Sequence, residues 1–121
     1  MIVIDLPFPP AALSPNKREK WEKIVAIKAY RNAVGQLAKS VRNQAPALFP
    51  LKAPVQMRVV FILSDRRRRD ADNLIARFKA GQDGLVDAGI LADDDIRSLL
   101  PSYAFEDAKE AAVRVELEDV R

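Results

Sequence analysis

Four consecutive arginines, Arg66, Arg67, Arg68 and Arg69, run directly into two aspartates, Asp70 and Asp72, and a triple aspartate, Asp93-Asp94-Asp95, closes the same stretch. Carboxylate oxygens suit a hard divalent cation such as Mg²⁺ or Mn²⁺. A guanidinium fork matches phosphate oxygens bidentately. A cation site beside a phosphate site is the layout expected of a metal-dependent nuclease. Between the acidic clusters, Lys79 and Asp83 follow Asp72 by seven and eleven residues, near two and three whole turns at about 3.6 residues per turn. That spacing predicts one helical face for all three, opposite a Leu74, Phe78 and Leu85 stripe. Lys79 there either stabilises charge on a scissile phosphate or is an ordinary surface lysine in exposed ion pairs.

Each acidic cluster also has a plainer reading. Asp70 and Asp72 suit a helix N-terminus as cap and dipole partners, and the triple aspartate suits a solvated turn after Gly89. An EF-hand loop is excluded, because Leu74 and Ile75 stand where an oxygen ligand and a glycine are needed. The combination of both clusters with the arginine run and a facing lysine favours the catalytic reading.

Composition narrows the chemistry further. The chain has no histidine and no cysteine. Ser-His-Asp triads, zinc-thiolate sites, disulfides and thiol chemistry are therefore absent. Any general base must be a carboxylate, a lysine, a tyrosine or metal-bound hydroxide. Residues 1–69 hold 14 Lys and Arg against 4 Asp and Glu, a balance of +10, while residues 70–121 hold 6 against 13, a balance of −7. The sign changes between Arg69 and Asp70, at the proposed site. A basic half that neutralises phosphate, joined to an acidic half that holds metal, produces this pattern.

The elements that must position these residues read as one domain over 1–121. The expected fold is α+β, with a mixed four-stranded sheet and two main helices packed on it. Residues 2–6 are rich in β-branched side chains and read as a strand. Pro7, Pro9 and Pro10 end it. Ser14 and Pro15 suit the start of a helix running from about Lys17 to Ala45. Ile27, Tyr30, Val34, Leu37 and Val41, extended backwards by Trp21 and Ile24, predict its core stripe. The residues from Val55 to Leu63 alternate as a strand and deliver the chain to the arginines. A second helix follows Asp72 and ends near Gly89, with Gly81 and Gly84 either permitting close packing or breaking it. Two further strands are expected over Ile96–Tyr103 and Ala111–Val120. The opening residues lack the features of a signal peptide, and no apolar run is long enough to span a membrane. A cytoplasmic address is expected.

The stretch RRRRDADNLIARFKAGQDGLVDAGILADDD resembles the signature of the RusA family of Holliday junction resolvases. In that family D-x-D-N-L is followed by a lysine and an aspartate on the next helix, then by G-x-x-x-D-D. Asp70, Asp72, Asn73, Leu74, Lys79, Asp83, Gly89, Asp93 and Asp94 match in order. Pro9-Pro10, Asn16 and Trp21 resemble the family's N-terminal segment. One departure is clear: the family's lysine comes one turn after the second aspartate, where this chain has Ala76, and Lys79 comes two turns after. The resemblance implies a small, dimeric, Mg²⁺-dependent endonuclease of four-way junctions, bacterial or phage-encoded, with Mn²⁺ as a substitute cation. It implies Asp70, Asp72 and Asp94 as metal ligands, with Asp93 in reserve, and Lys79 as the catalytic cation. Asn16, Lys17 and Asn73 join the arginine run as candidate DNA contacts. The alternatives are a nuclease of flaps or other branched DNA, and a basic DNA-binding protein whose aspartates are structural.

Overall fold

The structure is a computed structural model and describes residues 1–15 and 20–119. Its elements are β1 (Ile2–Leu6), α1 (Lys20–Gln44), β2 (Val55–Leu63), α2 (Ala71–Arg77), α3 (Lys79–Asp87), β3 (Leu99–Asp107) and β4 (Ala112–Asp119). The four strands form one mixed sheet in the order β1-β4-β2-β3, with β2 parallel to β3 and the other pairs antiparallel. The expected α+β architecture is thus the observed one. The parallel pair requires a crossover, and α2 with α3 supplies it. The arginine run and both acidic clusters lie on that crossover.

The alternation of β2 is borne out. Val55, Met57, Val59 and Phe61 are buried and share one core with Val113, Val115 and Leu117 of β4, Tyr30 and Val34 of α1, and Leu85 of α3. Phe61 is its hub, meeting Phe78 and Phe8 edge-on at 6.3 Å each and stacking on Phe105 at 5.7 Å.

The single helix expected after Asp72 is two. The chain turns at Phe78, whose ring is buried between Phe61 and Tyr30, and α3 starts afresh at Lys79. Asp72 and Lys79 therefore do not sit on one continuous helical face. Gly81 and Gly84 do not break α3. They let it approach α1, because a Cβ on Gly84 would stand 2.7 Å from the carbonyl oxygen of Arg31. Gly89 ends α3 as expected, at φ 79°. Its amide bonds the Val86 carbonyl at 3.0 Å and the Ile90 amide bonds that of Leu85 at 3.1 Å, a Schellman closure.

This close approach also resets the expected core stripe of α1. The buried residues are Tyr30, Val34, Gly35 and Ala38, the row that faces α3. Trp21 is 77% exposed, and Ile24, Ile27 and Leu37 are exposed as well. At about 1.5 Å per residue the helix outruns the layer it packs on, so its first turns overhang. β3 begins three residues later than expected, because Asp95 accepts from the amides of Ser98 and Leu99 and the resulting turn leaves Ile96 in solvent. No helix among the described residues is long and apolar enough to cross a membrane.

Candidate phosphate and metal site

β2 ends at Leu63, and residues 64–70 carry the arginine run irregularly across to α2. Asp65 organises this link. Its Oδ1 accepts from the Arg67 amide at 2.9 Å and pairs with Arg69 Nη2 at 2.9 Å. The Arg67 amide, with support from the Arg67 and Arg69 side chains, holds the Asp65 carboxyl below the usual carboxylate range. The four arginines are therefore not equivalent. Arg67 and Arg69 fold back on Asp65, and Arg69 also donates to the carbonyls of Asp65 and Arg67. Arg66 is exposed and has no ion pair among the described residues. The Arg68 side chain is 93% exposed and reaches Asp70 only at 3.7 Å.

Asp70 takes the extended backbone of an N-cap residue, but its carboxylate caps no amide of α2. The Asp72 carboxylate accepts from the next amide, that of Asn73, at 3.0 Å. Asn73 is engaged: its Nδ2 donates to Ser14 Oγ at 3.0 Å and ties α2 to the N-terminal segment. Asn16 and Lys17 lie outside the described residues.

The second acidic cluster is sorted by its own backbone. Asp93 accepts from the Asp94 amide at 2.7 Å and Asp95 from the Ser98 amide at 2.9 Å, so both serve local turns. Asp94 instead reaches back across the crossover. Lys79 Nζ lies 2.7 Å from Asp94 Oδ2 and 2.8 Å from Asp83 Oδ1, and Gln82 Nε2 adds a 3.3 Å bond to Asp94. Hydrogen bonds from Lys79 and then Gln82 hold the Asp94 carboxyl below its ordinary range. Those to Asp83 and Asp94 raise the Lys79 ammonium, which stays charged well above neutrality. Lys79 is thus placed to supply charge, not to act as a base.

The donor set of these clusters, aspartates with no histidine or cysteine, fits a hard divalent cation. Asp70 and Asp72 flank the start of α2, and Asp94, in the segment between α3 and β3, is bonded to Lys79 at the start of α3. Among the described residues, no group of three carboxylates stands close enough together to hold a metal ion.

Sequence reasoning missed Arg77. Its Nη2 donates to the Pro9 carbonyl, and its guanidinium carbon lies 5.3 Å from the centre of the Phe8 ring. The partner is 68 residues away in the chain, so no local pattern announces it. The available signal was an arginine three residues after Leu74 and one before Phe78, at the edge of an apolar stripe. Burial, followed by the charge of Arg69, lowers the Arg77 pKa. With Ser14, Arg68, Arg69, Asp70 and Asn73 it lines a cleft of about 300 Å³.

The molecule is a small α+β protein whose crossover carries a guanidinium-rich rim and a lysine-bridged carboxylate pair. No family model matches the chain. It is 36% identical over 93 residues to the crossover junction endodeoxyribonuclease RusA of Escherichia coli K12, and equally so to that of strain CFT073, covering 75% of this chain and 72% of those proteins. It is 34% identical over 95 residues to an uncharacterized protein of Xylella fastidiosa, and there the match spans 60% of the relative's length. The chain belongs to the RusA-like family.

Proposed function

We propose that the protein is a metal-dependent endodeoxyribonuclease that cuts four-way DNA junctions. The observation that carries this reading is the reach of Lys79 to Asp94, fifteen residues on. It ties the second acidic cluster to the crossover that begins with the first, beside exposed arginines. The similarity to proteins named crossover junction endodeoxyribonucleases supports the substrate class.

Asp70, Asp72 and Asp94 would hold Mg²⁺, or Mn²⁺ in its place, with Asp93 as the alternative third ligand. When bound, the cation supplies an activated water at neutral pH and neutralises charge on the phosphate. Lys79 offers a permanent positive charge for the non-bridging oxygens. Arg66 and Arg68, exposed, bind flanking phosphates, while Arg67 and Arg69 shape the link from which they project. Two symmetric cuts in one junction call for a two-fold dimer. The exposed Trp21, Ile24 and Val25 of α1 are the apolar surface that favours such a pairing.

The spacing of the carboxylates favours a second reading, a basic DNA-binding protein without catalysis, since no three of them converge among the described residues. Incubating four-way junction, flap and linear duplex with the protein, in Mg²⁺ and in chelator, decides between them. Junction cleavage in Mg²⁺ alone is the expected result. Retarded but intact DNA under every divalent condition would establish the binder, and preferential cutting of flaps would move the substrate.

A further inference from the structure

Three other arginines that the fold draws against its helices or open sheet face are each given a carboxylate. Arg31 closes on Asp87 at 2.6 Å, Arg58 on Glu116 at 2.9 Å, and Arg114 on Glu106 at 2.7 Å. Arg42 and Arg77 are given none, but Arg42 donates to the Ala88 carbonyl at 3.1 Å and to Asn43 Oδ1 at 3.3 Å, whereas Arg77 is left with a buried group unmet. Among the described residues no carboxylate pairs with it, and its Nε is buried without an acceptor. Of the charges that bear on it, the strongest is Arg69, of its own sign. A partly buried cation in this condition is incomplete, because its desolvation is offset only by one carbonyl and one ring face. What it lacks is an anion.

We propose that Arg77 anchors a subsite for a single backbone phosphate of DNA, in the cleft that it lines with Ser14, Arg68, Arg69 and Asn73. The inference rests on the DNA-binding reading above and goes beyond it, because it separates one fixed cation from the exposed arginine run. Arg66 and Arg68 are exposed to solvent, so they contribute attraction but little register. The Arg77 guanidinium is held by the Pro9 carbonyl and the Phe8 ring, so its ordering cost is met before DNA arrives. Arg69, with its side chain 19% exposed, is held by Asp65 beside it. Two immobilised guanidiniums around one cleft define where a phosphate sits. Asp70 stands on the rim of the same cleft. The phosphate bound there is therefore a near neighbour of the one placed at the carboxylates. The Asn73–Ser14 hydrogen bond ties the cleft wall formed by the N-terminal segment to α2, which explains why Asn73 serves the site through position.

The test uses the full chain in chelator, so that binding is read without cleavage. Arg77→Lys keeps the charge and removes the fork; Arg77→Met removes both and keeps the bulk. Junction affinity should fall roughly tenfold for Arg77→Lys, the loss of a charge-assisted bond, with the salt dependence unchanged. Arg77→Met should also lower the log-log salt slope by about 0.9. In the wild type, titration with a short DNA duplex should shift the Arg77 Nε–H resonance, a readout that needs no variant to fold. Wild-type affinity in Arg77→Lys, or an unmoved Arg77 resonance at saturating DNA, would overturn the subsite and leave the nuclease reading standing. A wild type that binds no DNA in chelator would sink the subsite and the DNA-binding reading together, whereas bound but uncut DNA in Mg²⁺ would remove catalysis alone.

Discussion

On the open face of the sheet, Arg58 and Arg114 both close on Glu116, and Arg114 also takes Glu106 at 2.7 Å. On the rim between β2 and α2, Arg66 and Arg68 stand in solvent and Arg77 is partly buried with no carboxylate. The same residue type thus occurs in two electrostatic conditions within one small domain. On the sheet the pairing follows from register, since Arg58 lies directly opposite Glu116 and cross-strand neighbours of opposite charge attract. On the rim the nearby carboxylates are either used to shape the link, as Asp65 is, or stand apart, as Asp72 does. The paired arginines stabilise the sheet modestly. The exposed arginines of the rim and Arg77 leave positive charge available to something outside the chain.

That contrast is open to direct attack. Asp72→Asn removes one charge from the rim while nearly preserving shape. Mg²⁺-dependent junction cleavage should fall by more than about 100-fold, beyond the loss usual for groups that only support metal ligands. Binding in chelator should be kept or strengthened, because like-charge repulsion around the phosphate is relieved. Asp94→Asn should behave alike and Asp83→Asn more mildly. A folded Asp72→Asn protein that cuts at the wild-type rate would end the carboxylate assignment.

Gly84→Ala forces a methyl group against the Arg31 carbonyl oxygen, 2.7 Å away on α1. Overpacking of this kind costs about 1–3 kcal/mol. Denaturant midpoints should register that loss. Cleavage should suffer too, because α3 carries Lys79, whereas the ion pairs on the open sheet face should be unaffected.

Arg68→Ala and Arg66→Ala should each lower the log-log salt slope of DNA binding by about 0.9. Arg58→Ala and Arg114→Ala should leave it unchanged. Equal slopes for front and back variants would erase the distinction drawn between the two regions.

The smallest effect belongs to the sheet. Hydrogen bonds from Arg58 and then Arg114 depress the Glu116 carboxyl. Its contribution is therefore present above the ordinary glutamate pKa of about 4.3 and is lost as the pH falls through the depressed value. Thermal melts of wild type and Glu116→Gln should differ slightly at neutral pH and converge in acid. A difference that persists at the lowest pH would mean that packing, not charge, accounts for it.

Several features were legible in the chain because their causes are local. The alternation from Val55 to Leu63 specifies a half-buried strand by period alone, and β2 has those bounds. Val113, Val115 and Leu117 specify β4 in the same way, and Gly89 ends α3 because only a residue without a Cβ adopts its φ of 79° at no cost. The amino-acid order also determined that an arginine run and two acidic clusters would share one crossover. Tertiary structure decided the rest. Which stripe of α1 is buried depended on where Gly81 and Gly84 let α3 approach, so Tyr30, Val34 and Ala38 went inside and Trp21 stayed out. The break at Phe78 came from a ring drawn between Phe61 and Tyr30. The choice of Asp94 over Asp93 as partner of Lys79, and the seating of Arg77 against Pro9, arose from contacts across 15 and 68 residues. Periodicity carries no information at such separations. Those contacts exist only once the core has fixed the distances between elements.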